Sequence, residues 1–302
     1  MNKKLLALLA ILLAAILISL LGAYVVTRNA DSGIAFNDNV AVIKITGEIA
    51  LGGDQSLFGE TRTTPEKIKE QLRKAEKDSS VKAILLEINS PGGSFVASEE
   101  IADAVKKAEK PVVAWLGEMA TSGAYYVASA ADYIVADKGT LTGSIGVIFV
   151  LPQYEGLLEK LGIEMRVIKS GKYKDIGSPY RNMTEEEKTI VQSWADESYD
   201  EFLAAVAQNR NFTKERIGEI AQGKIYTGKK AVEMKLADEV GTRENALRIA
   251  AHLGNISGEP GTITYERKSF FEEFVRTGAS SFGYGFAKGL INAGNNVRTV
   301  RE

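Results

Sequence analysis

The chain contains no cysteine and only one histidine, His252. The first absence removes thiol catalysis, thiolate metal ligation and disulfides. The second leaves no cluster of histidines to hold a metal, and any nucleophilic serine must take its base from His252 or from another residue type. An excess of charge of one sign is also lacking. Lys and Arg number 37 against 39 Asp and Glu, a formal net charge of -2, so there is no electrostatic footprint for nucleic acid. No cofactor or metal is implied. With 302 residues the chain is long enough to bury a sizeable core in one or two domains.

One long run without charge is present. Leu5 to Val26 has about the length that spans a bilayer hydrocarbon core, and no small-x-small cleavage site precedes Arg28. Residues 1–27 are therefore expected to be an uncleaved transmembrane anchor touching lipid through residues 5–26. Lys3 and Lys4 precede the span, and Asp31 offsets Arg28, which places the N-terminus inside and the remainder on the extracytoplasmic side of the cell membrane. Residues 28–39 form a linker, 40–257 the main domain, and 258–302 a tail. The tail mixes Phe270, Phe271, Phe274, Phe282 and Phe286 with glycines, which suits either a membrane-surface or docking segment or a mobile tail.

The main domain alternates strands and helices. Val40–Ile45 and the near-continuously apolar Val81–Ile88 are strands; Gly47–Thr63 is a loop. Thr64 and Pro65 open a helix to about Lys77, and Ala97–Ala108 forms another. Pro111–Leu116 and Tyr133–Ala136 are short strands, Leu157–Leu161 a helix and Glu164–Lys169 a strand. Thr184 with Glu187 is a capping box for a long helix to about Asn209, and Thr213 caps the next. Strands alternating with helices predict an α/β fold with a parallel sheet.

Loops leaving the carboxyl ends of parallel strands line the site in such folds. Here they are Asn89–Ser94, Ala120–Ser122, Thr140–Gly146 and Ser170–Asp175. Ser122 stands between an apolar strand and the small residues Gly123 and Ala124, where free helix N–H groups favour negative charge; most serines at such a place are only helix caps. Gly92 and Gly93 offer unobstructed N–H groups that suit an oxyanion hole, although a Pro-Gly-Gly turn also serves as a plain turn. His252 sits on a late amphipathic helix beside Ala250, Ala251 and Leu253, as a half-buried packing residue would. A lysine acts as base when burial or neighbouring charge leaves its amine neutral, and Lys172 and Lys174 share one of these loops. Solvated loop lysines would look the same.

Four ordered signatures then make the chain resemble the signal peptide peptidase A family from about Val40 to Gly254. They are NSPGG at Asn89–Gly93, ATSGAYY at Ala120–Tyr126, TGSIGV at Thr142–Val147 and SGKYKD at Ser170–Asp175. Tyr226, Gly228 and Ala231, followed by Leu236–Gly241, also fit. The resemblance implies a membrane-anchored serine endopeptidase on a crotonase/Clp-protease-like spiral of parallel β-sheet units with covering helices. It implies Ser122 as nucleophile, Lys174 as general base, and an oxyanion hole at Gly93, with Gly92 beside it. Ser144 would orient the lysine amine. Its implied substrates are cleaved signal peptides and other hydrophobic peptides. Thr121 and Ala124 depart from the commoner Ala-Ser-Gly-Gly-Tyr-Tyr without removing a catalytic group. The short members of the family form homo-oligomeric rings, which would let neighbouring protomers share an active site. A crotonase-like acyl-CoA enzyme and a noncatalytic membrane-tethered scaffold are the competing readings; the first would need carboxylates near the hole, and these loops hold no paired acids.

Overall fold

Two aliphatic runs with little polar interruption form adjacent strands of the sheet. In the computed structural model, which describes residues 38–52 and 62–265, they are the parallel strands β1 (Asn39–Ile49) and β2 (Val81–Gly93), with Val40 opposite Ala83 and Ile45 opposite Ile88. Both faces are covered. Helices α1 (Pro65–Lys77) and α2 (Phe95–Lys106) bury Ile68, Leu72 and Ala75, and Ile101, Ala102 and Val105. Their caps are local: Thr64 Oγ1 accepts from Lys67 N–H and Ser94 Oγ from Ala97 N–H, both at 3.4 Å. On the other face α8 (Arg243–Leu253) lays Ala246, Ala250 and Ala251 against Val40, Val42, Ala83, Leu85, Val113 and Val135. Cutting a side chain such as Leu85 to alanine in this layer would cost about 2–5 kcal/mol.

Strand β3 (Val112–Thr121) runs parallel to β2 and changes partner along its other edge. Val113–Leu116 pair with β4 (Tyr133–Ala136), whereas Met119–Thr121 pair with β5 (Leu141–Gly143). β5 is antiparallel to β6 (Ile225–Thr227), β4 is parallel to β7 (Glu239–Val240), and β8 (Gly261–Thr264) joins the outer edge of β1. The path is β6-β5-β3-β2-β1-β8, a mostly parallel α/β sheet. Between β3 and β4 lies α3 (Gly123–Ser129); after β5 come α4 (Glu155–Lys160), α5 (Glu185–Arg210), α6 (Lys214–Ile220) and α7 (Gly228–Glu233). The capping box of α5 is formed by Thr184 and Glu187.

The structure departs from expectation in several places; besides β3 running on to Thr121 and β5 lying within the expected loop Thr140–Gly146, four stand out. β1 continues to Ile49 because a register shift after Thr46 lets Glu48 and Ile49 pair with Gly92 and Gly93, so the NSPGG turn is the end of a strand. β8 lies within the stretch expected to be tail. His252 is exposed rather than half-buried. Glu164–Lys169 is not a strand: it has no ladder partner among the described residues, and Ile168 is fully exposed. Ile148 and Val150 are likewise 84% and 79% exposed, and α4 buries nothing. Among the described residues no helix is long and apolar enough to cross a membrane; the expected span at 5–26 and the tail phenylalanines lie outside them.

Candidate active site

Ser122 occupies the step from β3 to α3 with φ 53 and ψ -127, backbone angles that residues with a Cβ rarely adopt and that cost of order 1–3 kcal/mol. Both sides of the step are pinned. Its N–H donates to Gly143 O at 2.8 Å, and its carbonyl accepts from Tyr126 N–H at 3.0 Å. The side chain makes no capping bond to α3, so the cap explanation of this serine fails. A Cβ at Gly123 would stand 2.2 Å from Ser98 Oγ, so a side chain there would displace that hydroxyl from its bond to Ser94 O.

The end of β2 is fastened to the same step. Ser90, fully buried, donates through Oγ to Gly47 O at 2.6 Å and accepts from Gly92 N–H at 3.1 Å. Thr121 Oγ1 donates to Pro91 O at 3.0 Å, and Thr142 Oγ1 to Ala120 O at 2.6 Å. Of the two glycines, Gly92 has spent its N–H on Ser90. Gly93 lines the cavity beside Ser122, and it is Ser94 N–H that donates to Ile49 O at 2.8 Å.

A cavity of about 650 Å³ opens here, lined by Ser122, Gly93 and Ser144 with Pro91, Val147 and Ile148. Ser144 is held at φ 52 by its N–H bond to Lys224 O, 2.8 Å. The far wall was not foreseen from the sequence: Gln192, Ala195, Asp196 and Tyr199 of α5, with Gln222 and Gly223. Their spacing on α5 places them on one helical stripe. Phe202 and Val206 continue that stripe into the core, Phe202 against the Tyr126 ring at 5.0 Å.

Lys174 does not line this cavity in the single chain; it is exposed in the loop after Lys169. Lys172 is paired with Glu186 at 2.5 Å, which together with the Tyr173 hydroxyl raises its pKa. The loop is anchored by Arg181. Its guanidinium bonds both oxygens of Asp175 at 2.8 Å and both of Glu187, at 2.8 and 2.5 Å. Arg181 therefore holds the Glu187 carboxyl down at about 2, and with Lys169 it depresses Asp175 further. His252 lines a different cavity, with Tyr133, Glu239 and Arg248. Among the described residues no group of three His, Asp or Glu side chains is placed to hold a metal ion.

Comparison with known proteins gives the family and the fold. Residues 104–257 match Peptidase family S49, and residues 52–136 match the Clp protease family. The chain is 41% identical over 300 residues to "Putative protease MJ0651" of Methanocaldococcus jannaschii, covering 95% of this chain and 94% of that one. It is 35% identical to Protease 4 of Haemophilus influenzae and to the chloroplastic serine protease SPPA of Arabidopsis thaliana; each match covers 72% of this chain but only 35% and 33% of those longer proteins. A mutant of 1510-N membrane-bound stomatin-specific protease superposes with a TM-score of 0.50 at 15% identity, over 77% of this chain and 99% of that one, a likeness of fold alone. The fold is thus Clp-protease-like, and the chain belongs to peptidase family S49.

Proposed function

We propose that this peptidase is a membrane-anchored serine endopeptidase that uses a Ser-Lys dyad to degrade cleaved signal peptides and other hydrophobic peptides. The observation that carries the reading is Ser122 itself, a residue held in a costly backbone conformation with no capping bond, facing a cavity beside Gly93. In the proposed reaction the neutral amine of Lys174 takes the Ser122 proton as Oγ attacks the peptide carbonyl. It then gives the proton to the leaving amine, and water repeats the sequence on the acyl-enzyme. Gly93 N–H is the favoured oxyanion donor, because Gly92 N–H is engaged with Ser90. Ser144 would orient the lysine.

Lys174 is assigned to the site of a neighbouring copy. Support comes from its position outside the cavity of its own chain and from the exposed apolar residues between Ile148 and Ile168. Such a surface fits a ring of identical subunits. The apolar run at 5–26 supplies the anchor, with the catalytic domain on the extracytoplasmic side. Residues 28–39 serve as linker to a peptidase domain that runs to about residue 257.

The test is hydrolysis of a hydrophobic fluorogenic peptide by the full chain and by Ser122→Ala, Lys174→Ala and His252→Ala. A loss of about a thousand-fold in the first two with activity retained in the third is expected. Equal turnover in all four would reject the dyad, and an inert wild-type oligomer would favour a noncatalytic scaffold.

A further inference from the structure

Resting on the Ser122 reading, a second property of the same cavity concerns which peptides it takes. Among the described residues that line it, Asp196 is the only acidic or basic side chain. One of its oxygens accepts from Gln192 Nε2 at 2.7 Å, and among the described residues no lysine or arginine pairs with it. The other described lining residues are neutral, and Pro91, Val147 and Ile148 among them are apolar. The buried Phe202 and Val206 on the same stripe fix which face of α5 meets the cavity. An unpaired carboxylate in a concave wall attracts cations and repels acids entering it.

We propose that Asp196 selects peptides that carry a lysine or arginine side chain close to the scissile bond, so that preferred substrates are apolar segments bearing an adjacent cation. Asp196 is exposed, so water and salt screen the pairing. The discrimination is accordingly that of an exposed ion pair, about three- to five-fold in kcat/KM.

The experiment uses the full chain in detergent micelles and pairs of fluorogenic peptides that differ only by Lys or norleucine, placed in turn at each position flanking the cut. The wild type is expected to favour Lys about three- to five-fold at one position, less so at high salt. Asp196→Asn should bring that ratio to about one, and Asp196→Lys should invert it, with Glu favoured at the same position. A ratio unchanged in both variants overturns the proposal. So does a variant that slows every peptide alike, since that would make Asp196 a partner of the catalytic groups rather than of the substrate. Affinities of the same peptides for Ser122→Ala, with and without Asp196→Asn, read the preference without turnover. A lysine preference there that Asp196→Asn removes supports the proposal even if hydrolysis fails, and equal affinities alongside an active wild type with no lysine preference sink it alone.

Discussion

Gly92 backs directly onto Ser122: a Cβ added to Gly92 would stand 3.0 Å from Ser122 Cβ and 2.7 Å from Gly123 N. The residue also has φ +94, which disfavours any side chain. Gly92→Ala is therefore expected to push the nucleophile step out of place and to cost at least about 2 kcal/mol, a fall in melting temperature of roughly 4–8 °C. Thermal unfolding followed by circular dichroism measures this. An alanine variant as stable as wild type would show that the two strand ends are not locked together.

The strain at Ser122 gives a second expectation. Alanine keeps the Cβ and hence the strain, whereas glycine removes both. Ser122→Gly should fold about 1 kcal/mol more stably than Ser122→Ala, the reverse of the usual order for these residues. Paired urea denaturation of the two variants decides it.

If Ser122 and Lys174 meet between copies, two dead variants can repair each other. Mixed after dissociation and reassembly, Ser122→Ala and Lys174→Ala subunits should recover up to about one quarter of wild-type activity, the fraction of interfaces at which an intact serine meets an intact lysine. Ile168→Asp, placed on the fully exposed apolar residue, should weaken the assembly in sedimentation velocity and reduce activity with it. Full activity in a monomeric Ile168→Asp protein would assign the base to the same chain.

Arg181 makes the lysine loop resistant to acid. Its two carboxylate partners have depressed pKa values, so their contribution is complete above the ordinary carboxylate range and is lost progressively as pH falls from there toward 2 and below. Carbon-detected NMR titration of the side-chain carboxyls should give Glu187 a midpoint of about 2 in wild type. Arg181→Met should return it toward ordinary glutamate, and a normal midpoint in wild type would show that the guanidinium bridge is absent in solution.

What the sequence disclosed tracks how local the physics is. Val81–Ile88 announced itself because a strand covered on both faces needs an unbroken apolar run, and Thr64, Thr184 and Thr213 mark helix starts through bonds to residues three places on. The extension of β1 to Ile49 depends on a register shift against a strand end some forty residues away, which no local pattern encodes. Glu164–Lys169 has the composition of a strand, but composition does not say whether the pairing edge belongs to the same chain. The α5 wall was missed for a different reason. Gln192 and Asp196 look like the solvated side of a long helix, and the apolar Phe202 and Val206 farther along the same stripe show only in the structure that this side is packed against the molecule. Of the site residues, Ser122, Gly93 and Ser144 border one cavity and Lys174 does not.

The absence of Lys174 from the cavity of its own chain changes what a single copy amounts to. On the proposed reading, one subunit is a latent reagent: its nucleophile is set by folding, while its base awaits another copy. Surface density in the bilayer would then act as the on-switch, and scattered subunits would pass newly made membrane proteins without cutting them.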